Sequence, residues 1–275
     1  MLQHLEGKVA VVTGAGSGIG AALCRGFAVE GMRVVAADID HARAVAIAAE
    51  LPEAIGVGVD VADASAVARL ADEAFAAWGH VDVLCNNAGV FQGGLSWERS
   101  VADWDWVLGV NVYGIIHAIR SFVPRMVAQD TDGHIVNTAS VAAYVAGAAS
   151  SPYVVSKCAA FSLTECLALD LAATGSRVGV SVLTPSAIDT DIAHTASVRP
   201  ERYGLDSTAD GAMVAQGLAA MTSRGIAARE VVGPVLAAIR NGEFLVPTKP
   251  SYAGQLRNRF EALVERRIPG PIEVD

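Results

Sequence analysis

Thr13-Gly14-Ala15-Gly16-Ser17-Gly18-Ile19-Gly20 is the stretch on which the fold turns. It follows an apolar, β-branched run at residues 9–13 and precedes a segment at 20–30 with helical spacing, so the glycines form a turn between a strand and a helix. The spacing is a T-G-x-x-x-G-x-G variant of the more familiar G-x-G-x-x-G. Its chemistry is the same. Glycines permit a tight turn and close backbone approach, and a helix beginning near Gly18 offers its positive end to a pyrophosphate. Gly14, Ser17, Gly18, Ile19 and Gly20 are therefore candidate phosphate-binding residues.

Working outward, the same alternation repeats along the chain. Buried-strand runs fall at 9–13, 33–38, 55–59, 81–85, 134–139, 178–184 and 244–247, and helical spacing at 20–30, 41–50, 64–78, 101–129, 153–173 and 227–241. Such alternation predicts right-handed crossovers and a parallel sheet covered on both faces. The expected fold class is α/β, a single doubly wound Rossmann-type domain of about seven parallel strands spanning residues 1–275. Composition agrees. Of 275 residues 52% are hydrophobic and 18% charged, which excludes intrinsic disorder, and 20 basic against 29 acidic residues give a net charge of -9, a poor match for nucleic acid or anionic membrane. Residues 135–156 lack charge but contain Asn137, Thr138, Ser140, Ser150, Ser151 and Pro152, which assigns them to a strand, a loop and a helix start rather than a membrane span.

Asp38 ends the second strand, 18 residues after Gly20, where a carboxylate can accept hydrogen bonds from the ribose 2′- and 3′-hydroxyls of an adenosine and repel a 2′-phosphate. The residue before Gly18 is Ser17, not a cation. The expected cofactor is NAD(H), with Arg33 and Arg43 the residues most able to upset that reading.

The glycine pattern resembles that of the short-chain dehydrogenase/reductase family, and further signatures follow in order through Thr190. Asp60-Val61 resembles the pair that holds the adenine ring, and Asn86-Asn87-Ala88-Gly89 the family's N-N-A-G turn, so the resemblance adds Asp60, Val61, Asn87, Ala88 and Gly89 to the cofactor site. Pro185-Ser186-Ala187-Ile188-Asp189-Thr190 is similar to P-G-x-x-x-T, in which Pro185, Ile188 and Thr190 would border the nicotinamide carboxamide. Ser186 replaces the usual glycine, so the turn is expected to shift or to store strain if a positive φ is required there.

Tyr153-Val154-Val155-Ser156-Lys157 places a phenol and an ammonium one helical turn apart. A neighbouring cation favours the phenolate, and Ser151-Pro152, read as N-cap and first helical residue, puts Tyr153 where the helix dipole adds to that effect. Tyr153 is thereby expected to act as general acid/base near neutral pH. Ser140, just past the strand at 134–139, is placed to hydrogen-bond a substrate oxygen. Asn111, inside an apolar helix at 107–119, needs buried partners. The resemblance implies that Asn111, Ser140, Tyr153 and Lys157 are the catalytic set, that Lys157 also holds the nicotinamide ribose, and that Asn111 holds a water relaying protons from Lys157.

Several regions carry weaker expectations. Residues 191–225, with Arg199 and Arg202, read as a substrate lid containing a helix at 208–221. The tail at 250–275 carries one apolar stripe and is either docked on its own domain or an intersubunit arm. Trp97, Trp104 and Trp106 serve packing or a subunit contact. Phe91, Gly93, Gly94, Tyr144, Val145, Ser186, Ala187 and Ile192 are expected around the reacting carbonyl, an apolar lining suited to a lipophilic or aromatic secondary alcohol, with the two lid arginines leaving an acidic group open. His194 is read as solvent-exposed, and no histidine or carboxylate cluster suggests a metal. The four cysteines read as reduced packing residues, and the N-terminus lacks a signal-peptide layout, so a cytoplasmic location is expected. The resemblance implies a homo-oligomer, tetramer or dimer. The alternative to an NAD(H)-dependent dehydrogenase is an NAD(H)-binding sensor without turnover.

Overall fold

Alternate residues of each central strand point to opposite helical layers, which is what continuous apolar strands require. The computed structural model describes residues 1–204 and 208–270; three residues of the expected lid and the last five of the expected tail lie outside them. The strands are β1 (Val9–Thr13), β2 (Arg33–Asp38), β3 (Ala54–Gly58), β4 (Val83–Asn86), β5 (Gly133–Thr138), β6 (Val178–Thr184), the short β7 (Ile188–Asp189) and β8 (Ile226–Ala227), and β9 (Leu245–Pro247). The helices are α1 (Gly18–Val29), α2 (His41–Ala49), α3 (Ala64–Trp78), α4 (Val101–Leu108), α5 (Gly114–Ala128), α6 (Ser151–Ala173), α7 (Ala209–Thr222), α8 (Val232–Asn241) and α9 (Tyr252–Val264).

Seven strands form one parallel sheet in the order β3-β2-β1-β4-β5-β6-β9, and β7 pairs with β8 outside it. Ala10, Val12, Val34, Ala36, Cys85 and Val136 pack with Leu23 and Phe27 of α1 and Val235 and Ile239 of α8. Val9, Val11, Val35, Leu84 and Ile135 face the other way, onto Leu70 of α3, Phe122 and Met126 of α5 and Leu171 of α6. This is the expected doubly wound fold. The order reverses between β1 and β4, and the crevice at their carboxyl ends is where such sheets bind ligands.

Three local expectations are corrected. The helix expected over 101–129 runs continuously but is widened at Gly109–Tyr113 by a π-helical turn, in which Gly114 N–H reaches back to Gly109 C=O and Asn111 is fully buried. Although residues Val101–Ala128 are long and apolar enough to cross a membrane, Phe122 and Met126 within them are core residues. The N-cap of α6 is Ser150, not Ser151, so Pro152 takes the second helical position, where its missing N–H is equally harmless. Of the cysteines, Cys24 and Cys85 are buried and Cys158 half-buried, but Cys166 is exposed on α6 rather than packed in the core.

Candidate functional site

The crevice at the β1/β4 switch is a cavity of about 870 Å³ that runs from Asp38 and Arg43, past Gly14, Ser17, Gly18 and Ile19, to Phe91, Ser140 and Tyr153. Its floor is laced together by side chains of the two turns. Thr13 Oγ1 accepts hydrogen bonds from the N–H groups of Asn87 (3.0 Å) and Ala88 (3.1 Å), and Asn87 Nδ2 donates to Thr13 C=O at 3.0 Å. Gly14 has φ +64°, and a Cβ there would stand 2.8 Å from Ala88 Cα. Gly20 does not line the cavity; a Cβ on it would lie 2.0 Å from Gly14 C=O, so its role is to let α1 start directly beneath the turn. The first N–H groups of α1 have no intrahelical acceptor and open on the crevice, and Ser17 leaves them uncapped by its side chain. This cradle fits a dinucleotide pyrophosphate.

Asp38 stands at the far end, accepting from Gly16 N–H (2.8 Å) and Asp40 N–H (2.9 Å). A carboxylate has about four acceptor positions, so capacity remains for ribose hydroxyls. Of the two arginines that could contradict an NAD(H) reading, Arg33 pairs with Glu53 outside the crevice, while Arg43 lines it and pairs with Asp40 at 3.4 Å. Asp60, Val61, Asn87, Ala88, Gly89, Pro185, Ile188 and Thr190 all border the same cavity. Asp60 is engaged from an unexpected side, since Arg202 reaches its Oδ2 at 2.6 Å.

Ser140, Tyr153 and Lys157 meet at the other end. Ser140 is buried, accepts from Ala142 N–H at 3.1 Å and donates to Pro185 C=O at 3.4 Å, with its hydroxyl beside the Tyr153 phenol. The Tyr153 ring packs on Phe91 with centroids 5.1 Å apart. Lys157 is buried and donates to Thr138 C=O at 2.9 Å; its Nζ lies 5.6 Å from the Tyr153 ring centre, so it flanks the phenol without bonding it. The protonation expected from the spacing is reversed here. Burial raises the Tyr153 phenol above its ordinary value, the Ser140 hydroxyl offsetting part of the rise, and burial lowers Lys157 to about 8.

Asn111 lies behind this group, outside the cavity. Its Oδ1 accepts from Val90 N–H (2.8 Å), and its Nδ2 donates to Val90 C=O (3.0 Å) and Ser156 Oγ (2.9 Å). The amide thus clamps the loop that follows Gly89 onto α6.

Of the expected carbonyl lining, Phe91, Val145, Ser186 and Ile192 border the cavity, whereas Gly93, Gly94 and Ala187 do not, and Tyr144 turns inward to bond Thr184 Oγ1 at 3.2 Å. Ser186 is not among the positive-φ residues and its N–H donates to Thr248 Oγ1 at 3.0 Å, so serine stores no left-handed strain there. Missed in the sequence were Val214, Leu218 and Met221 of α7, which complete the apolar wall. The signal was present, because α7 is apolar on all sides and such a helix needs cover. His194 lines the mouth and is exposed. Arg199 and Arg202 are spent on Asp103 and Asp60, so neither offers a free charge to an acidic substrate. Among the described residues no cluster of potential metal ligands occurs.

A family profile described as short chain dehydrogenase matches residues 8–200. The chain is 36% identical over 264 residues to the 1-deoxy-11-beta-hydroxypentalenate dehydrogenase of Streptomyces exfoliatus, covering 94% of this chain and 89% of that relative. It is 30% identical over 276 residues to the C alpha-dehydrogenase of Sphingobium sp. strain SYK-6, covering 98% and 89%. Among solved structures it superposes with a TM-score of 0.95 on a short chain dehydrogenase/reductase from Burkholderia phymatum in complex with NAD, at 39% identity, covering 98% of this chain and 99% of that one. With the crevice, the glycine cradle and the Ser140–Tyr153–Lys157 group already in place, these likenesses establish that the chain belongs to the short-chain dehydrogenase family and is an oxidoreductase of that type.

Proposed function

We propose that this chain is an NAD(H)-dependent secondary-alcohol dehydrogenase or ketone reductase whose substrate is uncharged and lipophilic or aromatic. The observation that carries this reading is the Tyr153 hydroxyl, set beside Ser140 and flanked by Lys157, at the end of a crevice whose other end is a pyrophosphate cradle. NAD, when bound, supplies the hydride acceptor. The N–H groups of the Gly14–Gly20 turn and α1 would hold its pyrophosphate, Asp38 and Asp60 its adenosine end, Lys157 its nicotinamide ribose, and Pro185, Ile188 and Thr190 its carboxamide. Asn87, Ala88 and Gly89 would form the wall between them. The relatives named above are dehydrogenases of a hydroxylated compound and of a Cα position, which supports an alcohol substrate.

Ser140 Oγ and the Tyr153 hydroxyl converge on one substrate oxygen, the serine orienting it and the phenol exchanging its proton. Desolvation leaves Tyr153 protonated, ready to donate to a carbonyl. To take a proton from an alcohol it needs positive charge nearby, and Lys157, though half-way to losing its own proton at about pH 8, is the chain's contribution to that charge. The wall of Phe91, Val145, Ile192, Val214, Leu218 and Met221 offers no free cation, which favours an uncharged substrate. We place the whole chain, as one catalytic domain and as a homo-oligomer, in the cytoplasm.

The test is absorbance at the reduced-nicotinamide band with a panel of aryl and alicyclic secondary alcohols. Tyr153→Phe is expected to lower turnover by about a thousandfold while NADH affinity changes little, because one positioned acid/base contributes about 10² to 10⁴. Surviving turnover refutes the assignment of the base; tight NADH binding with no turnover on any substrate favours the sensor. For cofactor choice, Asp38→Ser is expected to move the NADH/NADPH affinity ratio by about a hundredfold toward NADPH, roughly 3 kcal/mol. Removing the carboxylate leaves Arg43, whose Cβ approaches Gly16, as the nearest charge to a 2′-phosphate. Fluorescence titration of the two reduced cofactors checks this, and an unmoved ratio counts against Asp38 as the discriminator.

A further inference from the structure

We propose that Asp210, on the wall helix α7, is a positioning residue that fixes the start of α6 and with it Tyr153; the consequence for catalysis rests on the reading of Tyr153 as the acid/base. Asp210 lies in the first turn of α7. Its Oδ2 accepts from Leu95 N–H at 2.7 Å, and Arg99 NH2, on a fully buried side chain, donates to Oδ1 at 3.0 Å and to Oδ2 at 3.2 Å. This carboxylate therefore ties α7 to the loop that leaves the Asn86–Gly89 turn.

Gly94 is wedged against the pair. A Cβ there would stand 2.5 Å from Arg99 Cζ and 2.7 Å from Asp210 Oδ2, and its φ is +121°, so only glycine passes. Its N–H donates to Ala149 C=O at 2.7 Å, and Gly94 bridges to Ser150. Ala149 has φ +53°. An alanine pays for the left-handed conformation and keeps it only where its surroundings over-determine it. The next residue, Ser150, is the N-cap of α6, and its C=O accepts the first helical bond, from Val154 N–H at 2.9 Å. Tyr153 sits in that turn.

The chain of contacts runs from Asp210 through Leu95 and Gly94 to Ala149 C=O, and each step is a direct bond or a van der Waals contact. Without the carboxylate, Leu95 N–H loses its acceptor, Arg99 falls back on partners such as Thr208 Oγ1 at 2.5 Å, and the loop can draw Gly94 away. Ala149 then relaxes to negative φ, and the chain enters α6 at a different angle. Because Tyr153 reacts at hydrogen-bond range, a small displacement there is felt in turnover.

The experiment uses the full chain and compares native, D210A and the double variant D210A/A149G. Amide hydrogen exchange provides a readout that needs no substrate. D210A is expected to speed exchange across residues 149–155 by about tenfold while 160–173 keep their rates, since local opening is read separately from global unfolding. With 1-phenylethanol, D210A is expected to lower kcat by about tenfold, a loss of about 1.4 kcal/mol in the barrier term, with NADH affinity within about twofold. A149G in that background makes the left-handed conformation free of penalty and is expected to recover about threefold of both losses. Exchange at 149–155 within twofold of native overturns the proposal, as does a raised KM with unaltered kcat, which is what a mere pocket wall gives. Should D210A fail to fold, D210S, whose shorter side chain removes both the acceptor for Leu95 and the charge for Arg99, is read by the same criteria. Failure of the tyrosine reading shows separately, as turnover by Tyr153→Phe.

Discussion

A Lys157→Met chain is expected to be more stable than the native one at pH 7, by about 3 kcal/mol, and slower in turnover by about a hundredfold or more. Lys157 is 3% exposed, bonds only Thr138 C=O among the acceptors described above, and is drawn down from 10.5 to about 8 because burial penalises its charge. That interval is the source of the free-energy figure, and methionine fills a similar volume without a charge. The pH dependence follows from where each state holds the proton. Below pH 8 both folded and unfolded chains are protonated, and the native fold bears the whole burial cost. Between 8 and 10.5 the folded lysine releases its proton while the unfolded one keeps it, so native stability rises with pH relative to the variant. The gap between the two chains is therefore flat below pH 8 and closes above it. Urea melts of both chains at several pH values from 6.5 to 9.5 read this directly; a gap that is absent, or that widens with pH, defeats the argument. A fold that retains a buried ammonium at this cost next to Tyr153 does so for what the charge does there.

How much of this was legible beforehand divides by the range of the interaction. β1, β2, β6 and α3 fall on the residues that periodicity picks out, because a strand apolar on both faces and a helix with one apolar stripe are local patterns. The candidate residues Gly14, Asp38, Asn87, Ser140, Tyr153 and Lys157 assemble as their order implied, since each ends a strand or begins a helix at the same edge of one sheet. What escaped depends on contacts between distant segments. The π turn at Asn111 is set by Val90 and Ser156, which lie 21 and 45 residues away. The sign of the Tyr153 shift is set by desolvation, which spacing does not encode. Arg202 on Asp60 joins residues 142 apart, and nothing local in either segment announces the pair.

Loss of the Asp103 carboxylate is expected to act on substrate binding far more than on the fold. Arg199 and Asp103 pair at 2.7 Å with side chains 3% and 6% exposed, and the guanidinium also donates to Gln92 Oε1 (3.2 Å) and Tyr203 C=O (2.7 Å) and lies 4.9 Å over the Trp106 ring. Removing one partner of such a buried pair strands the other at a cost of about 3 to 5 kcal/mol, provided the stranded charge stays where it is. Arg199 need not stay. The segment carrying it is otherwise fastened at Thr195, whose hydroxyl accepts from Phe91 N–H at 3.0 Å, by half-buried Tyr203 packed on Val90, Trp106 and Val107, and by the surface pair of Arg202 with Asp60. An exposed pair contributes at most about 1 kcal/mol, so releasing residues 191–204 into water is the cheaper response. Asp103→Ala should then raise KM by about a hundredfold, of order 3 kcal/mol of lost docking, while the thermal midpoint falls by only a few degrees. Trypsin offers an independent reading, because the Arg202–Tyr203 bond becomes cleavable once the segment leaves the surface, whereas Arg199 precedes Pro200 and resists the protease. The paired replacement Asp103→Leu with Arg199→Met removes both charges together and should restore protection and most of KM, since an apolar pair of similar volume substitutes well for a buried ion pair. A midpoint that drops by the full cost with no gain in cleavage would mean that the segment unfolds only with the core, and that the pair holds the fold rather than the pocket.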